Sequence, residues 1–215
     1  LTFGALALWE ETSVPARQIV DRALETIDLP MADYAPDGAY PEGYSYWGYG
    51  TTFNVLLLAA VEKAFGTDFD LSAKPGFLPT SDYLKHMTGP SGQCFNYSDS
   101  GSGGSLQPAM FWFAQKRKDP SLLWTERKYL SAGHAGQNGK NRFLPVTLLW
   151  GASTEWNRIV EPKETTWRGG GKNPVALMRS SWTDPDAIYI GVKGGSPSVN
   201  HSHMDLGSFV MDAGG

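Results

Sequence analysis

The chain has 215 residues, 41% of them hydrophobic and 19% charged, which supplies material for a sizeable core and excludes a disordered segment. Its net charge is −4 and no block of Lys or Arg stands out, which argues against a nucleic-acid partner. No apolar run approaches the ~18 residues of a membrane span, and the single cysteine, Cys94, excludes an internal disulfide.

The first half reads as helical. Leu1 opens the chain without Met, in what looks like the middle of a helix. Ser13-Val14-Pro15 marks a helix start, with Ser as cap and Pro in the first turn. Ile19, Val20, Ala23, Leu24 and Ile27 follow at helical spacing. A loop rich in Gly, Pro and Tyr runs from Leu29 to Tyr44. The next helix, about 46–65, carries Val55, Leu56, Leu58, Ala59 and Val61 and is apolar nearly all round, so it should be buried. Shorter helices are expected at 80–87, 105–117, 120–132 and 141–150. The loops 66–79 and 89–104 are long, and long loops on a rigid scaffold often carry function.

Composition shifts after Trp156. A polar stretch with Pro162 and Gly169-Gly170-Gly171 resembles a linker. Strands are expected at 175–179, 187–192 and 207–212, with Thr183-Asp184-Pro185-Asp186 as a turn. The fold class is therefore α+β, with helices first and an antiparallel sheet second. The expected divisions are 1–158, a linker at 159–173, and a β-domain from 174 to 215. The end at Gly214-Gly215 falls where a hairpin turn would begin, so a piece of a longer chain is expected.

Two constellations carry chemistry. The first is NHSHMDLGSF, residues 200–209, which holds two of the four histidines. On a strand, residues two apart share a face at about 7 Å. His201, His203 and Asp205 would then cluster, which suits a metal or an acid–base pair. Two surface histidines near a turn would give the same letters. The second is the loop 36–50, where Tyr40, Tyr44, Tyr46 and Tyr49 stand among glycines and prolines. A phenol titrates near pH 10 in water, and nearby positive charge lets it act as a base and return the proton as an acid. Aromatic packing around a tight turn is the plainer account of the same residues.

AYPEGYSYWGYG at 39–50, NYSDSG at 96–101, ALMRSSW at 176–182 and NHSHMDLGSF together resemble the heparinase II/III-like polysaccharide lyases. That resemblance implies an incomplete α/α toroid followed by an antiparallel β-sandwich. It implies cleavage of an acidic, uronate-containing polysaccharide by β-elimination. Tyr46 would be the proton-transferring tyrosine, being four residues after Glu42, with Tyr49 in reserve, and His201 the histidine of the cleft. His203 would ligate a structural zinc, its other ligands lying beyond Gly215, and Asp205 would orient a neighbouring histidine. Asp212 is set aside as a ligand because an odd step from His203 puts it on the opposite face of an unbroken strand, a parity that a bulge at Gly207 would reverse. Substrate contacts are assigned to Glu42, Tyr49, Asn96, Asp99, Arg179 and Asn200. Asn96 and Asp99 equally suit Asx turns, and Arg179 equally suits a solvated strand face. The resemblance also implies a periplasmic or secreted location, and an isolated 215-residue piece with little activity. Oligomeric state and the identity of the polymer are not specified. Two alternatives stand beside the lyase. One is a glycoside hydrolase using carboxylates among Asp37, Glu42 and Asp99. The other is a binding protein that has lost the chemistry.

Overall fold

The computed structural model describes residues 1–199 and 201–215. The helical part comprises α1 (Thr2–Ala7), α2 (Ser13–Thr26), α3 (Asp28–Met31), α4 (Gly43–Phe65), α5 (Thr80–His86), α6 (Ala109–Arg117), α7 (Trp124–Tyr129), α8 (Ala135–Asn138) and α9 (Leu144–Gly151). The sheet follows as β1 (Thr166–Gly169), β2 (Val175–Arg179), β3 (Tyr189–Lys193) and β4 (Phe209–Asp212), an antiparallel meander in chain order. The α+β class is therefore as expected.

The central element is α4. No residue from Val55 to Val61 is exposed, which the all-round apolar pattern requires. Trp47 is fully buried, and its indole N–H donates to Thr80 Oγ1 at 2.8 Å. Thr80 in turn donates to Gly38 O at 2.7 Å. This chain of bonds joins the tyrosine loop, α4 and α5. Trp112 packs edge-on against Phe77 and Phe113, which meet each other at a tilt, and Phe113 also leans on Trp47, filling the core beside it. α4 ends at Gly66, whose φ of 74° makes it a left-handed cap.

The sheet presents two unlike faces. The register aligns Leu177, Gly191 and Val210, and beside them Arg179, Tyr189 and Asp212. This face turns inward, with Val175, Leu177, Tyr189 and Lys193 buried. Phe95 presses so closely on Gly191 that a Cβ there would sit 2.7 Å from its ring. The other face aligns Met178, Ile190 and Met211, with Ala176, Val192 and Phe209 alongside. Phe209 and Met211 are 67% and 59% exposed, so this apolar face meets solvent.

Several local expectations are corrected. Ser13 is the first helical residue of α2 rather than its cap; the cap is Thr12, which makes no side-chain cap bond. The stretch 159–173, expected as a linker, contains β1, anchored by Trp167 edge-on against Tyr83 at 5.5 Å. Residues 201–208 form no strand. His201 has φ 54° and Gly207 φ 78°, and such left-handed residues break an extended chain. Parity along a strand therefore cannot place His201, His203 and Asp205 on one face.

Candidate active site

The site is organised by the short loop from Tyr97 to Ser100. Ser100 Oγ accepts from the backbone N–H of Ser45 at 3.0 Å and lies 3.2 Å from Ser45 Oγ, which holds the loop to the first turn of α4. Tyr97 donates to Tyr40 O at 2.5 Å and bonds Tyr83 through its hydroxyl at 2.6 Å. Gly43 lets α4 begin this close: its φ is 79°, and a Cβ would meet Tyr97 O at 2.7 Å and Ser100 Cβ at 2.8 Å. On its other side, the loop reaches the histidines. Ser98 donates to His201 O at 3.0 Å. His203 Nε2 donates to Asp99 Oδ1 at 2.9 Å, and His201 Nδ1 stands 3.8 Å from Asp99 Oδ2. One carboxylate thus faces both imidazoles, the pairing that a shared strand face would have provided.

The sequence-assigned residues, Asn200 apart, have definite places. Tyr46 projects from the first turn of α4 and is 40% exposed, while Tyr49, one turn on, is 59% exposed. Tyr44 is buried, and its hydroxyl donates to Ser105 O at 2.8 Å; burial raises its pKa well above the usual value. Of the tyrosines in this loop, Tyr46 and Tyr49 are therefore the ones presented to solvent. Glu42 is half-buried as the residue preceding α4. Asn96 is exposed. Asp99 binds the histidines and does not close a turn. Asn200 lies outside the described residues.

Asp205 and Asp212 serve elsewhere. Asp205 pairs with the buried ammonium of Lys193 on β3, so it does not orient a histidine. Asp212 accepts from Ser91 N at 3.2 Å and Ser91 Oγ at 2.6 Å. Asp212 thus has partners far from His203, although the parity argument that excluded it does not apply. Arg179 donates from Nη2 to His86 O at 3.3 Å and Thr88 O at 2.7 Å, and stacks on Trp182 with its guanidinium 3.5 Å from the ring centre. It lines a different cavity from the tyrosines, not a solvated face. His86 is buried between Asp82 O and Glu164 O, and burial lowers its pKa to about 4, so it is a neutral structural residue. Burial likewise pushes the Cys94 thiol up to about 12, which leaves it unreactive.

A cleft of about 410 Å³ opens beside the exposed face of α4. Ser45, Gly48, Tyr49 and Thr52 form one wall, and Lys140, Asn141, Arg142 and Phe143 the other. An aromatic ridge runs along it, with Tyr49 against Phe53 at 5.2 Å and Phe53 against Phe143 at 5.3 Å. Arg142 lies over both phenyl rings, at 5.5 and 4.8 Å. Lys140 and Arg142 were not singled out from the sequence; isolated charges in a loop carry no pattern that would mark them. Beneath the cleft, Glu126 is fully buried and accepts from Gln107 N at 2.7 Å, and burial raises its pKa to about 8.

No family model matches this chain, and no curated protein matches it. Among the described residues, no group of three His, Cys, Asp or Glu side chains converges as a metal ion requires. Among the described residues, no helix is long and apolar enough to cross a membrane.

Proposed function

We propose that the chain belongs to a polysaccharide lyase of the heparinase II/III-like kind, cleaving a uronate-containing polymer by β-elimination. The observation that carries this is the Tyr97–Ser100 loop. It ties the helix turn bearing Tyr46 to the segment bearing His201 and His203, through Ser100–Ser45 on one side and Asp99–His203 on the other.

The chemistry needs a base for the uronate C5 proton, an acid for the departing O4, and neutralisation of the carboxylate. The C5–H electrons form the C4–C5 double bond as the C4–O bond breaks, and O4 leaves with a proton. In this reading Tyr46 and His201 carry the proton transfers, with Tyr49 as the alternative phenol. Asp99 holds the histidine segment in place. Arg142 and Lys140 supply positive charge along the cleft for the acidic polymer, and the aromatic ridge offers faces for sugar rings.

Zinc enters through His203. Its imidazole is a suitable donor, but the described residues do not assemble the four ligands of a structural zinc. Metal analysis of the purified protein is the direct measurement. The toroid and the sandwich are part of the same proposal. The exposed apolar outer face of the sheet suits coverage by a second sheet. A polymeric substrate fits a periplasmic or secreted setting. The hydrolase alternative is weaker, because it needs two carboxylates: Asp37 accepts from Gly170 N at 2.7 Å and Asp99 faces the histidines, which leaves Glu42 as the remaining candidate.

The test is ultraviolet absorbance of the conjugated product with alginate, heparin, heparan sulfate, chondroitin and hyaluronan. The 215 residues and a longer protein containing them are assayed side by side. A rise with one polymer, abolished in Tyr46→Phe, supports the lyase. New reducing ends without absorbance would transfer the assignment to a hydrolase. Binding of a polymer with neither signal would leave a binding protein.

A further inference from the structure

A second cavity, of about 360 Å³, lies between α7, the 88–92 loop and the end of β2. It shares no lining residue with the cleft beside α4, and its lining includes none of Tyr46, Asp99, His201 and His203. Among the described residues, its lining holds Arg179 and Lys128, with the imidazole of His134, and no carboxylate.

Arg179 is clamped there. Nη2 is spent on two backbone carbonyls, and one face of the guanidinium rests on Trp182. Among the described residues, Arg179 makes no salt bridge, and its Nη1 and Nε make no hydrogen bond. Lys128 likewise has no acidic partner there; its ammonium lies 5.9 Å from the ring centre of Trp124. Asp212, the acid whose charge acts on Arg179, already accepts two bonds from Ser91. Burial, and then the charges of Arg179 and Arg127, lower the Lys128 pKa. Two cations lining one cavity, neither with an acidic partner among the described residues, suit an anion between them.

A guanidinium fork with an ammonium beside it matches the oxygens of sulfate, phosphate or carboxylate. The volume exceeds that of a bare ion and falls in the range of small-molecule sites. We propose that this cavity binds an oxyanion-bearing ligand of about monosaccharide size, held by Arg179 and Lys128. The assignment does not rest on the lyase reading, since it requires no turnover.

The experiment is titration calorimetry on the full chain at constant ionic strength, with inorganic sulfate and with N-acetylglucosamine 6-sulfate as probes. Arg179 buttresses the 88–92 loop, so substituting it endangers the fold; the deciding variant is Lys128→Gln, whose exposed side chain makes no hydrogen bond among the described residues. Saturable binding at one site, weakened at least tenfold in Lys128→Gln, is expected. Tighter binding of the sulfated sugar than of sulfate would assign the site to a saccharide; equal affinities would assign it to the free anion. Absence of saturable binding by both probes, or unchanged affinity in Lys128→Gln, would overturn the proposal.

Discussion

Lys193 and Asp205 allow a worked test of how the histidine segment is held. The Lys193 side chain is fully buried at the inward face of β3, and its ammonium pairs with Asp205, whose side chain keeps 31% of its exposure. Removing one partner of a buried pair leaves an uncompensated charge, at a cost of about 3–5 kcal/mol. The stranded charge matters more than the lost attraction, so the two substitutions are unequal. Asp205→Asn leaves the ammonium buried without its counter-charge; because water already reaches Asp205, the low end applies, about 3 kcal/mol. Lys193→Met leaves a carboxylate that can turn to water, and puts an apolar chain of similar length in an apolar place, at about 1 kcal/mol or less. The double variant should match Lys193→Met alone. Urea unfolding of the four proteins, read as a double-mutant cycle, measures all three differences. If Asp205→Asn costs no more than Lys193→Met, the stranded-charge argument is wrong.

Three further outcomes follow from the geometry. Gly43→Ala forces a left-handed residue into contact with Tyr97 O, and should cost about 2 kcal/mol or more, read as a lowered urea midpoint. Glu126 titrates near 8 in the fold against 4.5 in the open chain. A carboxyl raised in this way is fully tolerated below about pH 4.5 and penalises the fold progressively up to pH 8. The loss is on the order of 5 kcal/mol. Stability across that window should be flatter in Glu126→Gln; an identical slope would show that the carboxyl is not buried. Asp99→Asn keeps the shape of the loop but removes the charge facing His201 and His203. With the lyase substrate in hand, it should lower kcat by about tenfold or more while the urea midpoint moves little, which separates positioning from folding.

Much of the helical frame was legible because burial imposes a period. α2 shows that period in Ile19, Val20, Ala23 and Leu24, with Ile27 as its C-cap, whereas α4 was legible as an apolar run too long for a strand. β2 was visible as a short apolar run, Val175 to Met178, and β3, expected at 187–192 and found at 189–193, through Tyr189, Ile190 and Val192. β1 was not, because Thr-Trp-Arg-Gly has one large apolar side chain, and Gly-rich neighbours disguised it as a linker. Within the site, the histidine pair and the tyrosine loop could be picked out as unusual local patterns. Their meeting point could not. His203 and Asp99 are 104 residues apart, and nothing in either segment announces the other. Lys193 carried a partial signal: on β3 it shares a face with Tyr189 and Gly191, and a lysine facing inward demands a carboxylate.

The tether between the tyrosine turn and the histidine segment has a thermal consequence. The 201–206 stretch is exposed at His201, His203, Met204 and Leu206 and is secured by Ser98, Asp99 and Lys193 side chains; backbone bonds to the sheet begin only at Gly207 and Ser208, which pair with Lys193. Such a segment can open at a free energy well below that of the whole fold. Heating should then abolish the proposed lyase activity while the α4 core still gives its full helical circular-dichroism signal, and cooling should restore it without refolding.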